Sequence, residues 1–318
     1  MIETLESAWA PSTRKNMVVQ QQLYWDFCQY YRLAPLPASF KLLCLFAQFL
    51  SRKFKSADTV AGYINGVKWL HVFRGYSTEG FDHFAVKMVC QGIARQKKHV
   101  PNQALPMTPE ILAELYKLLD LDDSNDVTFW TAILFSFYIM LRKSNIVPTS
   151  KSSFDSKQQL TRGDITEAPN MLLVTIKWSK TIQTGQRQHV VPLLTVPGSP
   201  LCPVTIYKRM VSLVPGRQND PLFSVKKGDK WGPMTYIEYQ SKMRSLISST
   251  GRSGKAYSSH SLRRGGATYL ASVGVSKELI KLMGDWKSDA VDKYIHVSLE
   301  SKVQVAQKIR QAILKDSE

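Results

Sequence analysis

Between Thr128 and Leu141 the chain reads TFWTAILFSFYIML. A segment apolar on every side has no face to give to water, so it is predicted as a helix buried all round, the spine of a domain. It is shorter than the roughly 18 apolar residues that suggest a membrane span. No other apolar run reaches that length and no apolar stretch follows Met1, so neither membrane insertion nor secretion is expected. The spine runs directly into Arg142-Lys143-Ser144-Asn145. A cation at the end of a buried helix is costly unless a carboxylate or phosphate meets it. The alternative is an ordinary cation at a helix C-terminus.

The rest of the chain arranges itself around that spine. Residues 1–98 show helical periodicity only. Pro11-Ser12-Thr13 reads as a capping start, followed by Val18, Leu23, Tyr24, Phe27 and Tyr30 near helical period. Pro35 and Pro37 interrupt. Ser39 opens a second helix with Leu42, Leu43, Phe46, Phe49 and Leu50, and Ser56-Ala57-Asp58 caps a third with Val60, Tyr63, Ile64, Val67 and Leu70. A fourth runs from about Phe81 to Ala94 and ends in Arg95-Gln96-Lys97-Lys98. Residues 99–106, HVPNQALP, hold two prolines and little period, and are taken as a linker. Thr108-Pro109-Glu110 caps the first helix of a second domain, 107–318. After the spine the period shifts: 159–165, 171–178 and 188–194 read as three short strands joined by turns. Helical patterns return at Val204–Leu213, at Thr235–Ile247 and from Ser259 onward. The expected class is mainly α with a small antiparallel β-sheet, an N-terminal helical bundle preceding the second domain.

Forty-two Lys and Arg against 25 Asp and Glu leave a net charge of +17. Residues 1–105 carry 13 of the basic and 6 of the acidic residues, so the excess covers both parts instead of forming a tail. A basic surface along the whole length suits a polyanion held by two lobes, and double-stranded DNA is the expected partner. On the first domain Arg52, Lys53, Lys55, Lys68, Arg74, Lys97 and Lys98 are the candidate phosphate contacts, although any one of them alone fits a solvated face. Cys28, Cys44, Cys90 and Cys202 lack C-x-x-C spacing and nearby histidines. The first three sit in apolar helical runs and are expected as buried thiols of a reducing compartment, with no metal and no cofactor.

The chemistry concentrates near the C-terminus. His260-Ser261-Leu262-Arg263-Arg264-Gly265-Gly266 is followed, 31 residues after Arg263, by Tyr294 in DWKSDAVDKY. An imidazole, a guanidinium and a phenol suffice to break a phosphodiester without metal: the phenol attacks, the guanidinium holds transition-state charge, the imidazole moves a proton. A lone His-x-x-Arg is weak, since such pairs recur by chance on helices. Lys180, in WSKTIQ at the turn after the second strand, fits a solvated hairpin tip or, reaching into a groove, an acid for a leaving alkoxide. Tyr257 and Tyr269 read as packing residues.

Together these residues resemble the tyrosine recombinases, the phage-integrase family. Arg142 in LRKSN matches the first arginine of that family, Lys180 the hairpin lysine, His260 and Arg263 the H-x-x-R motif, and Tyr294 the nucleophile. The resemblance implies a helical core DNA-binding domain ahead of a DNA breaking-rejoining domain. It also implies a covalent 3′-phosphotyrosine intermediate formed without ATP or metal, with Lys180 protonating the leaving 5′-oxygen and Lys177 as runner-up. LRKSNIVP, SKTIQ, HSLRRGGAT and GDWKSDAVDKYI are most similar to enzymes of eukaryotic mobile elements, the DIRS-like retrotransposons and Cryptons. That implies a nuclear protein in a eukaryotic host, and otherwise one of the cytoplasm or nucleoid. An apolar stripe of Val303, Val305, Ile309, Ile313 and Leu314 is expected to dock on a second copy, in a dimer to tetramer on DNA.

Two positions depart from the family. Asn145 stands where many members have an acid, an exchange that an amide tolerates. In Gly284-Asp285-Trp286, Trp286 is taken to fill the family's His/Trp position one place late, either donating its indole N–H to a phosphate or simply packing. Asp285, repulsive to a phosphate, is expected to point away. The competing functions are a DNA-binding protein derived from such a recombinase that has lost activity, and a monomeric type IB topoisomerase.

Overall fold

In the computed structural model the described residues are Thr4, 8–99, 103–179, Ile182, 188–295 and positions 303, 306, 307, 310, 311 and 314. They fall into two compact units, Met1–Asn102 and Gln103–Glu318.

The first unit is helical: α1 Pro11–Tyr30, α2 Phe40–Lys53, α3 Ala57–Arg74, the single turn α4 Glu79–Asp82 and α5 Phe84–Lys97. Its core is aromatic and aliphatic, with Tyr24, Phe27, Leu43, Phe46, Leu50 and Val67 buried. The first helix begins differently from its sequence signal. Pro11 is the first helical residue, Ser12 and Thr13 lie inside the helix, and no side chain caps Ala10. Ser39 does cap α2, accepting from the Leu42 N–H at 3.2 Å, whereas Ser56 precedes α3 without a side-chain cap. Val18 and Tyr30 turn outward and Met17 takes the buried place. Of the thiols here Cys28 is buried, and Cys44 and Cys90 are only half-buried. His71 is fully enclosed: its Nε2 accepts the Ala38 N–H at 2.8 Å, so Nδ1 carries the proton and donates to the Val67 carbonyl at 2.9 Å.

In the second unit Thr108 caps α6 (Pro109–Tyr116), and the Asp123 carboxylate caps the spine helix α7 (Ser124–Tyr138) by accepting from the N–H groups of Asn125 and Asp126. The spine is buried on every side, as its composition requires: Phe129, Trp130, Ile133, Leu134 and Phe135 are all enclosed. It ends at Tyr138, three residues short of the apolar run 128–141. Met140 adopts a left-handed conformation (φ 54°), and a separate turn, α8 (Lys143–Ile146), follows.

Strands β1 (Ile165–Ala168), β2 (Met171–Ile176) and β3 (His189–Leu194) form an antiparallel meander in that order. Leu172, Val174 and Ile176 face the core, and Val174 lies opposite both Ile165 and Val191. The first strand starts at 165, not 159. Thr161 and Asp164 instead close a 3₁₀ turn over Arg162–Asp164 through a reciprocal cap, and the backbone beside them meets the distant segment at Pro221 in an isolated bridge. A hairpin not foreseen in the sequence, β4 (Ser224–Lys227) and β5 (Lys230–Pro233), turns on Gly228 and Asp229. The remaining helices are α9 (Pro203–Leu213), α10 (Tyr236–Ser249), α11 (Ser259–Ser272) and α12 (Lys277–Met283), with a 3₁₀ turn at Asp289–Lys293.

Helix α11 approaches its neighbours closely because of Gly265 and Gly266. A Cβ at 265 would stand 1.9 Å from the Met107 carbonyl oxygen, and one at 266 would stand 2.2 Å from that of Phe137. Gly266 lets α11 lie backbone to backbone on the spine and Gly265 does the same against Met107, which together fix Arg263 beside the end of α7.

Candidate active site

Arg142 is the N-cap residue of α8, set beyond the left-handed Met140. That break lifts it out of the apolar spine, where its charge would be stranded, to a half-buried position. Its Nη1 lies 3.8 Å from the Asp285 carboxylate and its Nη2 donates to the Asp285 carbonyl at 3.4 Å. Partial burial lowers its pKa, and the charges of Asp285 and Tyr294 work the other way.

Arg263 lies in the second turn of α11, on the face that carries Ser259, Leu262 and Gly266 into the core, and is only 2% exposed. A guanidinium so deep needs acceptors. It donates Nη1 to the Met140 carbonyl and Nη2 to the Gly284 carbonyl at 2.8 Å. Both carbonyls lie just past helix ends, one after α7 and one at the end of α12. Its Nε is buried with no hydrogen-bond partner. The Trp286 ring lies against the guanidinium, 3.7 Å from ring centroid to Cζ, and Tyr294 lies at 5.5 Å. Burial first and the charge of Arg142 second push the Arg263 pKa down to about 9. It still carries its proton at neutral pH. Arg142 thus depresses Arg263, and an anion placed between the two guanidiniums would relieve that repulsion.

Tyr294 follows the 3₁₀ turn Asp289–Lys293 and is half-buried. Its N–H bonds to Val291 at 2.8 Å, and its carbonyl accepts from Thr268 Oγ1 at 3.2 Å. The phenol ring is 5.3 Å from Trp286 and 6.5 Å from His260, centroid to centroid. The turn is fastened to α12 by Lys277 on Asp289 and Asp292, and by Lys281 on Asp289. His260, in the first turn of α11, is exposed at the surface, although the atoms packed around its ring take part of its hydration. That crowding, then Arg263, Lys143 and Arg142, lowers its pKa and favours neutral imidazole.

Trp286 is 8% exposed and packs with Met140, Ala267, Ile280 and Val291. Of its two possible roles, packing is what the structure shows, and what it packs on is Arg263. Gly284 is required by that stacking: a Cβ there would fall 1.8 Å from Cζ3 of the indole. Asp285 overturns the expectation that it turns away. It is buried (6% exposed), adopts φ 54°, and receives a 2.5 Å hydrogen bond from Ser179 Oγ while facing Arg142. Asn145 is also buried and donates to the Trp178 carbonyl at 2.5 Å, so it ties the end of β2 to the Arg142 segment.

Lys180 lies outside the described residues, as do Val305, Ile309 and Ile313 of the C-terminal stripe. The runner-up Lys177 is engaged elsewhere, with Asp164 at 2.9 Å and the Ser156 carbonyl at 2.7 Å. Of the other tyrosines Tyr257 is buried, and Tyr269 is 43% exposed with its ring centroid 6.1 Å from that of Phe137. In the first unit Arg52, Lys53, Lys55, Arg74, Lys97 and Lys98 are exposed, but Lys68 is paired with Asp82 at 2.7 Å. Sequence reasoning missed Ser179 and His189, whose Nε2 meets the Met283 carbonyl at 2.8 Å beside the Gly284–Asp285 turn. Neither carried a pattern that would have marked it. Among the described residues no group of three or more His, Cys, Asp or Glu is placed to hold a metal, and no helix is long and apolar enough to cross a membrane.

No protein-family model matches the chain. A curated relative, an integrase/recombinase xerD homolog of Selenomonas ruminantium, is 22% identical over 309 residues, covering 92% of this chain and 83% of its own. Among solved structures, the Tn1549 transposon integrase in complex with circular-intermediate DNA superposes with a TM-score of 0.56 at 15% identity, covering 92% of this chain and 93% of that one. The XerH site-specific recombinase bound to palindromic difH substrate, a post-cleavage complex, gives 0.58 at 13% identity over 93% and 78%. A lambda integrase dimer bound to a core site gives 0.51 at 13% over 93% and 75%. The fold is therefore that of the site-specific recombinases and integrases: mainly helical, with small antiparallel sheets.

Proposed function

We propose that this chain is a site-specific DNA recombinase of the tyrosine type. The observation that carries the reading is the gathering of Arg142, Arg263, His260 and Tyr294, from three separate segments, around one anion seat where a buried Arg263 Nε still has no acceptor. The solved relatives named above are bound to DNA, and the curated relative bears the same activity in its name.

Tyr294 Oη attacks the scissile phosphorus, and the bond from phosphorus to the 5′-oxygen breaks, leaving a 3′-phosphotyrosine. The phenolic proton passes to neutral His260. Lys180 supplies a proton to the departing 5′-oxygen, which leaves as a hydroxyl. Arg142 and Arg263 stabilise the charge that grows on the non-bridging oxygens. A 5′-hydroxyl from a partner strand then reverses the sequence, so one phosphoester replaces another and no nucleotide is consumed.

The exposed cations of the first unit, Arg52, Lys53, Lys55, Arg74, Lys97 and Lys98, would track the phosphate backbone. The C-terminal stripe would join copies on paired sites. The four quoted motifs favour a mobile element of the DIRS or Crypton kind, hence a nuclear site of action in a eukaryotic host. A nicked duplex carrying the terminal repeat of the element that encodes the chain tests the reading. Wild-type protein should give a denaturant-resistant protein–DNA adduct, and Tyr294→Phe none, with Tyr257→Phe and Tyr269→Phe unaffected. An adduct that persists in Tyr294→Phe would remove the assignment.

A further inference from the structure

We propose that Asp285 is a positioning residue of this site, its carboxylate holding the Arg142 guanidinium and the start of the β2–β3 connection in one fixed arrangement. For its effect on cleavage the proposal rests on the recombinase reading, but the arrangement itself can be tested without DNA.

A carboxylate that is 6% exposed is costly unless cations and donors surround it. Asp285 has both. Its Oδ2 takes the Ser179 hydroxyl at 2.5 Å and lies 3.8 Å from Arg142 Nη1, while its carbonyl takes Arg142 Nη2 at 3.4 Å. Two nitrogens of one guanidinium thus lie along one residue, which sets the plane of the fork and leaves its other donors for a ligand. Reaching that position requires the left-handed backbone at Asp285 (φ 54°), a conformation uncommon outside glycine that Asp tolerates.

The neighbouring residues act on the other arginine. Gly284 offers its carbonyl to Arg263 and Trp286 stacks on the same guanidinium, so Gly284-Asp285-Trp286 grips both arginines at once. From the far side, the Asn145 amide holds the Trp178 carbonyl and Asp285 holds Ser179. The end of β2 is therefore stapled to the Arg142 segment and to the turn after α12 together. Lys180 is the next residue in the chain. With a neutral amide at 145, the carboxylate that faces Arg142 comes from the opposite end of the domain.

The competing role for such a carboxylate is a plug: seated where a phosphate must bind, it would have to be expelled. The two roles give opposite results. Full-length chain labelled with ¹⁵N-arginine, with the Arg142 signals assigned through Arg142→Lys, should show slowed rotation of the Arg142 fork that is lost in Asp285→Asn. On the nicked terminal-repeat duplex, Asp285→Asn should slow adduct formation by up to ~100-fold, the scale of a small misplacement of a reacting group. Ser179→Ala should slow it less while leaving the Arg142 signals restrained, which keeps the test informative if Asp285→Asn folds poorly. The double variant should be no slower than Asp285→Asn, because both act through one contact. Arg142 signals unchanged in Asp285→Asn, or an adduct formed as fast as or faster than wild type, would overturn the proposal. If wild-type protein forms no adduct, the recombinase reading fails, and the arginine signals still decide the role of Asp285.

Discussion

The guanidinium of Arg263 lies 3.7 Å from the centre of the Trp286 ring, which lies over the bare backbone of Gly284. This stack covers one face of the buried guanidinium. Trp286→Phe keeps a ring face for the cation, so its cost should stay near 1 to 2 kcal/mol. Trp286→Ala removes both the stack and the packing against Met140, Ala267, Ile280 and Val291, and should cost about 3 to 5 kcal/mol. Chemical denaturation of the two variants measures the difference. Equal losses would show that the ring contributes volume alone.

Arg263 also has a structural duty, closing the Met140 and Gly284 carbonyls. Arg263→Ala should therefore lower stability by about 1 to 3 kcal/mol for each buried carbonyl left open, in addition to losing cleavage. Arg142→Ala, at a half-buried position, leaves Asp285 without its facing cation but opens no buried carbonyl pair, so it should cost less stability than Arg263→Ala while losing roughly 100-fold or more in the rate of adduct formation. Melting curves and adduct rates on the same preparations separate the two arginines. Equal stability losses in both variants would contradict this division of labour.

Gly265→Ala should be among the most damaging small substitutions in the chain. Its Cβ would stand 1.9 Å from the Met107 carbonyl oxygen, so α11 must move away from the segment entering the second unit. Overpacking of this kind costs about 1 to 3 kcal/mol or more, and here it would also displace His260 and Arg263. Gly92→Ala, where nothing lies within 4 Å of the new methyl, should be neutral or slightly stabilising. Thermal unfolding of both variants checks the contrast.

The two helical blocks, the spine and the meander are legible in the sequence because each has a local signal, a period, an all-apolar run or alternation, and Arg142, His260, Arg263 and Tyr294 are singled out by motifs with order. What escapes depends on contacts between distant segments. The spine stops early because Met140 must turn its carbonyl toward Arg263, 123 positions away. Thr161 and Asp164 cap one another in a tight turn, and Thr161 bridges Pro221, 60 positions away, instead of extending the first strand. Asp285 runs against its expected direction for a physical reason. An acid is repelled by phosphate, but it is also attracted by the arginines that would bind phosphate, and the second relation decides where it sits. Trp286 stands out in the sequence, and only coordinates could show that its partner is a guanidinium.

Binding by the first unit should divide its cations. Replacing Lys97 or Lys98, both exposed, should weaken duplex binding across sequences and reduce the salt slope of log K by about 0.9 for each phosphate that the variant no longer neutralises. Lys68 is held by Asp82, so Lys68→Ala should change the slope less, and Asp82→Ala should strengthen binding slightly by freeing the lysine. Salt titrations of duplex affinity read these slopes. A larger effect for Lys68 than for Lys97 would refute the ordering.

The two histidines lowered by burial give pH effects of different kinds. His71 is neutral in the fold, with Nε2 occupied by the Ala38 N–H, so the unfolded chain takes up the proton first. Its contribution to stability is present above the unfolded value near 6.5 and declines as pH falls from there toward its lower folded value. His260 is lowered by crowding and then by Arg263, Lys143 and Arg142, so the imidazole remains an acceptor at mildly acid pH. Adduct formation should therefore stay level as pH drops through about 6.5 and fall only below it. His260→Asn should remove that acid limb of adduct formation, while His71→Gln should leave the limb in place and flatten the decline in stability below about 6.5. An acid limb centred above the ordinary histidine value, or one that survives His260→Asn, would mean that another group accepts the Tyr294 proton.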